Sequence, residues 1–186
     1  MPTLLIIDMQ EDFLRHPELT LRRGPLVRAI TELVEAFRAR SQAVVWIKQE
    51  FEADLSDAYL EMKRRNIAVV LKGSPGAELL PELGVRSDEQ VVVKKRYSAF
   101  FGTDLEAQLG GDAPLVVAGV NTHACVRMTV IDAYQRDLSV IVARDGVASN
   151  DPEHGRMTER YLDGKMAHVW SNPRILAALD SERWST

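Results

Sequence analysis

Gly119-Val120-Asn121-Thr122-His123-Ala124-Cys125-Val126-Arg127 places the only cysteine of the chain at a junction between two kinds of structure. Just before it, Leu115–Ala118 (LVVA) is a short apolar run rich in β-branched residues, the composition of a buried strand. Gly119 permits a sharp turn at the strand end, and Asn121 and Thr122 are good helix-capping types. From there Ala124, Met128, Ile131 and Tyr134 recur at three- and four-residue spacing, which predicts a helix with one apolar face running to about Arg136. Cys125 thus falls in a first helical turn. Unpaired N–H groups and the helix dipole favour negative charge there, so the position is expected to draw the thiol toward thiolate.

Outward from this junction the chain alternates strands with helices. Thr3–Ile7 (TLLII) is an apolar strand ending at Asp8, suited to a sheet covered on both faces. After a polar loop containing Arg22, Arg23, Gly24 and Pro25, Leu26, Ile30, Leu33, Val34 and Phe37 share one face of a helix from Leu26 to Arg40. Ala43–Ile47 (AVVWI) is the second strand. A long polar excursion follows, with a helical stretch at Asp57–Asn66 and a strand-like run at Ile67–Leu71 that Gly73-Ser74-Pro75-Gly76 breaks at once. Gln90–Val93 is the next strand, and Asp104–Leu109 a short helix. Beyond the cysteine come the strand Ser139–Ala143, ending near Asp145, the helix Glu153–Asp163, the strand Ala167–Trp170 and the helix Pro173–Leu179.

This alternation predicts one domain over residues 1–186, an α/β fold with three layers (α/β/α) and a mainly parallel Rossmann-like sheet. In such sheets ligands bind beyond the carboxyl ends of the strands where strand order reverses. With the order 3-2-1-4-5-6, Asp8 and Cys125 would face one crevice.

Composition limits the function. The chain has 186 residues, 46% hydrophobic and 27% charged, enough to bury a sizeable core. A net charge of -4, with Lys and Arg scattered among acids, gives no footprint for nucleic acid. No apolar run approaches the roughly 20 residues that span a bilayer, and MPTLLIIDMQ lacks the basic region and cleavage site of a signal peptide. We therefore expect no nucleic-acid or membrane partner and a cytoplasmic location. A lone cysteine excludes an internal disulfide and leaves a buried core residue or a nucleophile.

Each candidate has an ordinary structural alternative. Asp8 is placed to cap a turn. Of Lys94 and Lys95, at least one belongs on the surface; the other follows an apolar strand and precedes Tyr97, Phe100 and Phe101. His123, two residues before Cys125, projects from another side of a helical turn and reads as a polar helix-start residue or a supporting group. His16, His154 and His168 lack metal-ligand spacing. Asp8-Met9-Gln10-Glu11 after the first strand is not the glycine-rich turn of dinucleotide binding, and Gly73–Gly76 lacks the ending of a phosphate loop.

Three stretches together resemble the isochorismatase-like cysteine hydrolases, the superfamily of nicotinamidases, N-carbamoylsarcosine amidases and ureidoacrylate amidases. They are Leu5-Ile6-Ile7-Asp8-Met9-Gln10-Glu11-Asp12-Phe13, Val93-Lys94-Lys95-Arg96-Tyr97-Ser98-Ala99-Phe100, and Gly119 to Val126. The resemblance implies a six-stranded parallel sheet of order 3-2-1-4-5-6 and a catalytic triad of Asp8, Lys94 and Cys125, Lys94 being the lysine three before Tyr97. It also implies a cis peptide at Val120-Asn121, an oxyanion hole made by the N–H groups of Asn121 and Cys125, and a homodimer or homotetramer. Nicotinamidases carry a metal-holding Asp-x-His cluster after the second strand, where this chain reads Lys48-Gln49-Glu50-Phe51-Glu52. Neither a metal nor another cofactor is expected.

The expected activity is cysteine-dependent cleavage of a C–N bond in a small amide, ureide or carbamoyl compound through a thioester. Gln10, Phe13, Gln49, Tyr97 and Phe101 are the candidates to shape the substrate pocket. The alternatives are a vinyl ether hydrolase of the isochorismatase type, with Asp8 as general acid, and a non-catalytic binding protein or thiol redox sensor on the same fold.

Overall fold

The computed structural model describes residues 1–109 and 113–184. Its centre is a six-stranded sheet in the order β3-β2-β1-β4-β5-β6, every neighbouring pair parallel. The strands are β1 (Thr3–Ile7), β2 (Ala43–Gln49), β3 (Gln90–Lys94), β4 (Leu115–Val120), β5 (Val140–Ala148) and β6 (His168–Trp170). This is the expected order. Ile7 lies in register with both Ile47 and Gly119, so β1 ends between the other two strand ends.

Strand alternation divides the core between two faces. Leu4, Ile6, Val44, Trp46, Val116 and Ala118 face the long helix α2 (Pro17–Ala39) and the closing helix α7 (Asn172–Ser181). On the other face Leu5, Ile7, Val45, Ile47, Val92 and Val117 meet Cys125, Val126 and α5 (Arg127–Tyr134). Both layers of helix are therefore anchored by apolar side chains, which explains why β1 and β4 read as unbroken hydrophobic runs. The remaining helices are α1 (Glu11–Leu14), α3 (Leu60–Arg65), α4 (Leu105–Gln108) and α6 (Pro152–Leu162).

Three departures from the sequence reading have physical causes. Helix α2 begins at Pro17 and runs through Gly24 and Pro25, which the sequence reading assigns to a loop. Pro25 removes one helical hydrogen bond, to the carbonyl of Leu21, but Leu21 lies on the solvent side. Arg23 holds this segment in place, with Nη2 at 2.8 Å from both Glu11 and Glu82.

Ile67–Leu71 forms no strand. It makes only an isolated bridge, Phe51 with Leu71, and Val70 adopts a left-handed φ of 47°. The Val70 N–H donates instead to Asp12 Oδ2 at 2.7 Å. Val70 joins Phe51, Leu55, Ala58 and Ala77 in a small separate core beneath the excursion.

The third departure is β5, which continues to Ala148, past the end expected near Asp145. A register shift against β4, between Val117 and Gly119, absorbs the irregularity and lets pairing resume at Val147 and Ala148. Ser149 and Asn150 are thereby delivered beside the cysteine turn. No helix among the described residues is long and apolar enough to cross a membrane.

Candidate active site

Asp8, Lys94 and Cys125 converge at the carboxyl ends of β1, β3 and β4. Asp8 follows β1 with φ at 53°, a left-handed conformation that diverts its side chain from the strand's alternation. Its N–H is held by the Ile47 carbonyl at 2.9 Å. Gly119 makes the close approach of β4 possible: its φ is 116°, and a Cβ built there would stand 2.0 Å from the Ile7 carbonyl oxygen. No other residue fits.

Cys125 sits in a single π-helical turn, Thr122–Val126, where an α-helical first turn was expected. The Asn121 carbonyl accepts from Ala124 N at 3.0 Å and from Val126 N at 3.2 Å. The Val120-Asn121 peptide is cis. Among the described residues the Asn121 N–H has no backbone or side-chain acceptor.

Two neighbouring segments fix this turn. Asn150 N donates to Asn121 Oδ1 at 2.8 Å, and Ser149 Oγ lies 2.6 Å from His123 Nδ1. Ser149 Oγ also accepts from Asp151 N at 3.0 Å, so this hydroxyl links the His123 ring to the start of α6. Burial lowers the His123 pKa, against the pull of the Asp151 carboxylate. His123 is thus a supporting group for the turn. On the other side, Ala99 N donates to Thr129 Oγ1 at 3.0 Å and Ser98 Oγ to Asp132 Oδ2 at 2.5 Å. The segment after Lys94 is thereby tied to α5, the helix that follows Cys125.

The ionisable groups are almost sealed from water. Lys94 Nζ lies 2.8 Å from Asp8 Oδ2 and 3.5 Å from Cys125 Sγ, and the three residues expose 0%, 1% and 5% of their surface. Apart from this ion pair, neither Asp8 oxygen accepts a well-directed hydrogen bond within the described residues. Burial raises the Asp8 pKa, against the pull of the Lys94 ammonium and the Cys125 thiol. For Lys94, burial works downward but the Asp8 and Cys125 charges outweigh it, leaving the ammonium above its ordinary value. Burial, and then the Asp8 charge, push the Cys125 thiol well up. This reverses the expectation from the helix start. Loss of hydration outweighs the favourable backbone dipoles, which favours the thiol over the thiolate.

The other expected site residues take different positions. Gln10 is fully buried; its Nε2 donates to the carbonyls of Gln49 and Ala77, and its Oε1 accepts from Gln49 N. Its amide is occupied by backbone and acts as a clamp. Phe13 packs between the main core and the small core of the excursion. Gln49 stands beside Lys94 in the β2–β3 register, on the sheet face of Cys125. Its Nε2 donates to the Tyr59 hydroxyl at 2.9 Å. The Tyr97 ring lies 5.0 Å from Tyr59, whereas Phe101 is 64% exposed. Tyr59, at the start of the stretch read as helical, and Ser149 and Asn150, past the end of β5, escaped the sequence reading because only the fold brings them to the site.

The segment after β2 does not suit a metal ion. Gln49 bonds Tyr59, Glu50 faces Lys48 at 3.7 Å, and Glu52 pairs with Lys72 at 3.1 Å. Cations already neutralise its carboxylates. Two wide surface grooves, of about 580 and 880 Å³, lie at the opposite end of the sheet, around Val140 and His168 and around Met1 and Trp184. Neither contains the convergent ionisable groups found around Cys125.

Residues 2–172 match the isochorismatase domain family. The chain is 38% identical over 161 residues to a probable inactive nicotinamidase of Arabidopsis thaliana, covering 81% of this chain and 82% of that protein. It is 31% identical over 147 residues to the ureidoacrylate amidohydrolase RutB of Methylorubrum extorquens, covering 69% of this chain and 59% of that one. An isochorismatase family protein of Desulfovibrio vulgaris superposes with a TM-score of 0.85 at 30% identity, covering 97% of both chains.

Proposed function

The chain belongs to the isochorismatase domain family of hydrolases, and from that premise we propose that it cleaves a C–N bond of a small amide, ureide or carbamoyl compound with Cys125 as nucleophile. The observation that carries the reading is the buried placement of Lys94 Nζ between Asp8 and Cys125, at 2.8 and 3.5 Å. A structural cysteine has no use for a desolvated ion pair beside its sulfur. The similarity to a ureidoacrylate amidohydrolase supports the amide and ureide class.

In this mechanism Asp8 takes the thiol proton as the sulfur attacks the carbonyl carbon. Burial makes both steps cooperative: it raises the basicity of Asp8 and holds the sulfur protonated until an electrophile arrives. Lys94 stabilises the thiolate as it forms. The carbonyl oxygen, now an oxyanion, is received by the N–H groups of Asn121 and Cys125, fixed donors in a site that excludes water. Asp8 then delivers its proton to the departing amine or ammonia, leaving a thioester on Cys125. Water enters, gives a proton to Asp8 and attacks the thioester. The acid leaves as the proton returns to sulfur. One carboxylate acts as base, acid, base and acid again.

An ammonia-release screen across small primary amides, ureides and carbamoyl compounds tests this reading. Turnover by the wild type, its loss in Cys125→Ala, and an acyl adduct on Cys125 by intact-mass analysis are the expected results. A Cys125→Ala protein that retains its rate on an identified substrate would sink the thioester route and favour Asp8 as a general acid.

A further inference from the structure

We propose that Gln49 and Tyr59 form a recognition edge for a second amide-type group, so that the substrate carries one carbonyl to be cleaved and a neighbouring carboxamide or ureide to be read. The inference rests on Cys125 as the reacting residue and extends that reading to the substrate's other end.

The edge follows from hydrogen-bond supply and demand. Gln49 Nε2 donates to the Tyr59 hydroxyl at 2.9 Å, so the phenol must send its own proton elsewhere, and no described residue accepts it. Gln49 Oε1 likewise receives no donor among the described residues, yet it is not a sealed, orphaned atom. A spare donor and a spare acceptor therefore belong to two side chains that are hydrogen-bonded to each other. Their complement is a C=O next to an N–H, the edge of a carboxamide or ureide. A carboxylate offers two acceptors and leaves Gln49 Oε1 facing an oxygen.

The location suits a substrate's second group. Gln49 pairs in register with Lys94 and projects from the same sheet face as Cys125. Its backbone is held by Gln10, through Oε1 to Gln49 N and Nε2 to Gln49 O, both at 2.8 Å. Burial raises the Tyr59 pKa, against the pull of the Gln49 hydrogen bond, which keeps the phenol a donor. Tyr97, at 5.0 Å between ring centroids and 48% exposed, adds a flat wall at the outer side.

Nearby cations are already engaged. Lys95 pairs with Asp57 at 2.8 Å, while Arg96 lies over the Tyr59 ring at 5.2 Å and donates to the Asp57 and Lys95 carbonyls. The edge thus favours a neutral partner. A site built to hydrogen-bond a group rejects analogues that leave its polar atoms unpaired.

The test compares malonamide, malonamate and propanamide on Cys125→Ala protein by calorimetry, where no turnover is needed. Malonamide should bind about tenfold more tightly than the other two, a difference of ~1.4 kcal/mol. Tyr59→Phe and, independently, Gln49→Met should erase that preference. Equal binding of the three, tighter binding of malonamate, no detectable malonamide binding at millimolar concentration, or a preference that survives in both variants overturns the proposal. The two readings fail separately. Selective binding without hydrolysis by wild type removes the amidase reading alone, whereas hydrolysis with no preference for the diamide removes the recognition edge alone.

Discussion

The ammonium of Lys94 lies 2.8 Å from the carboxylate of Asp8, and both side chains are withdrawn from solvent. Such a pair is a poor way to stabilise a fold, because the cost of desolvating two ions offsets most of their attraction. In the proposed mechanism its worth is chemical: the pair holds charge beside a sulfur 3.5 Å from the ammonium.

Removing one partner should therefore destabilise far more than removing both. Lys94→Met leaves an uncompensated buried carboxylate and should cost about 3–5 kcal/mol. Asp8→Asn combined with Lys94→Met should recover much of that loss while remaining inactive. Urea unfolding of the single and double variants measures the difference; equal losses would show that the pair is not coupled.

Alkaline pH should weaken the fold through the same groups. The folded-state pKa of Cys125 lies above 9.0 and that of Lys94 above 10.5, so the native protein keeps protons that the unfolded chain releases. The associated stability is fully present below about pH 9 and is lost as pH rises, by at most about 1.4 kcal/mol per unit for each group. Cys125→Ala should flatten the first part of this decline. Unfolding midpoints from pH 7 to 11 provide the check.

Gly119→Ala should be among the most damaging single changes. The added methyl meets the Ile7 carbonyl at 2.0 Å, and an L side chain is strained at a φ of 116°. A loss of roughly 3–5 kcal/mol is expected from these two effects together. A thermal midpoint within a few degrees of wild type would contradict the predicted clash.

Gln10→Leu tests the clamp between the ends of β1 and β2. The change removes three buried hydrogen bonds and leaves the Gln49 N–H and O and the Ala77 carbonyl to find other partners. About 2–3 kcal/mol is expected, from roughly 1 kcal/mol per bond. Hydrogen exchange should quicken first at Gln49; unchanged protection there would rule out the clamp.

Asp12→Ala should loosen the excursion and spare the sheet. Asp12 Oδ2 accepts the Val70 N–H at 2.7 Å, and the site of a Gly76 Cβ falls 2.2 Å from this carboxylate. Without it, residues around Val70 should exchange faster while the β1 and β4 amides keep their protection. Uniform acceleration across both regions would mean that the excursion and sheet unfold as one unit.

The sequence by itself determined the sheet and where its strands end. Unbroken apolar runs in β1 and β4, an amphipathic α2 and short turns leave few ways to bury both faces, so a doubly covered parallel sheet was legible from periodicity. The strand-end position of Asp8 and the place of Cys125 in the turn after β4 were legible for the same reason, since a local pattern states where a strand stops, whereas Lys94 was singled out from Lys95 only by the family resemblance. Tertiary structure alone decided what those residues experience. That the thiol is pushed up rather than down depends on burial by distant segments, and Tyr59, Ser149 and Asn150 reach the site by long-range hydrogen bonds that no local spacing encodes. Helix α2 and Val70 make the same point: Arg23 extends a helix across Gly24 and Pro25, and Asp12 takes the N–H that a strand would have needed. Hydrophobic periodicity is a property of a segment, whereas desolvation and side-chain partnership belong to the space between segments.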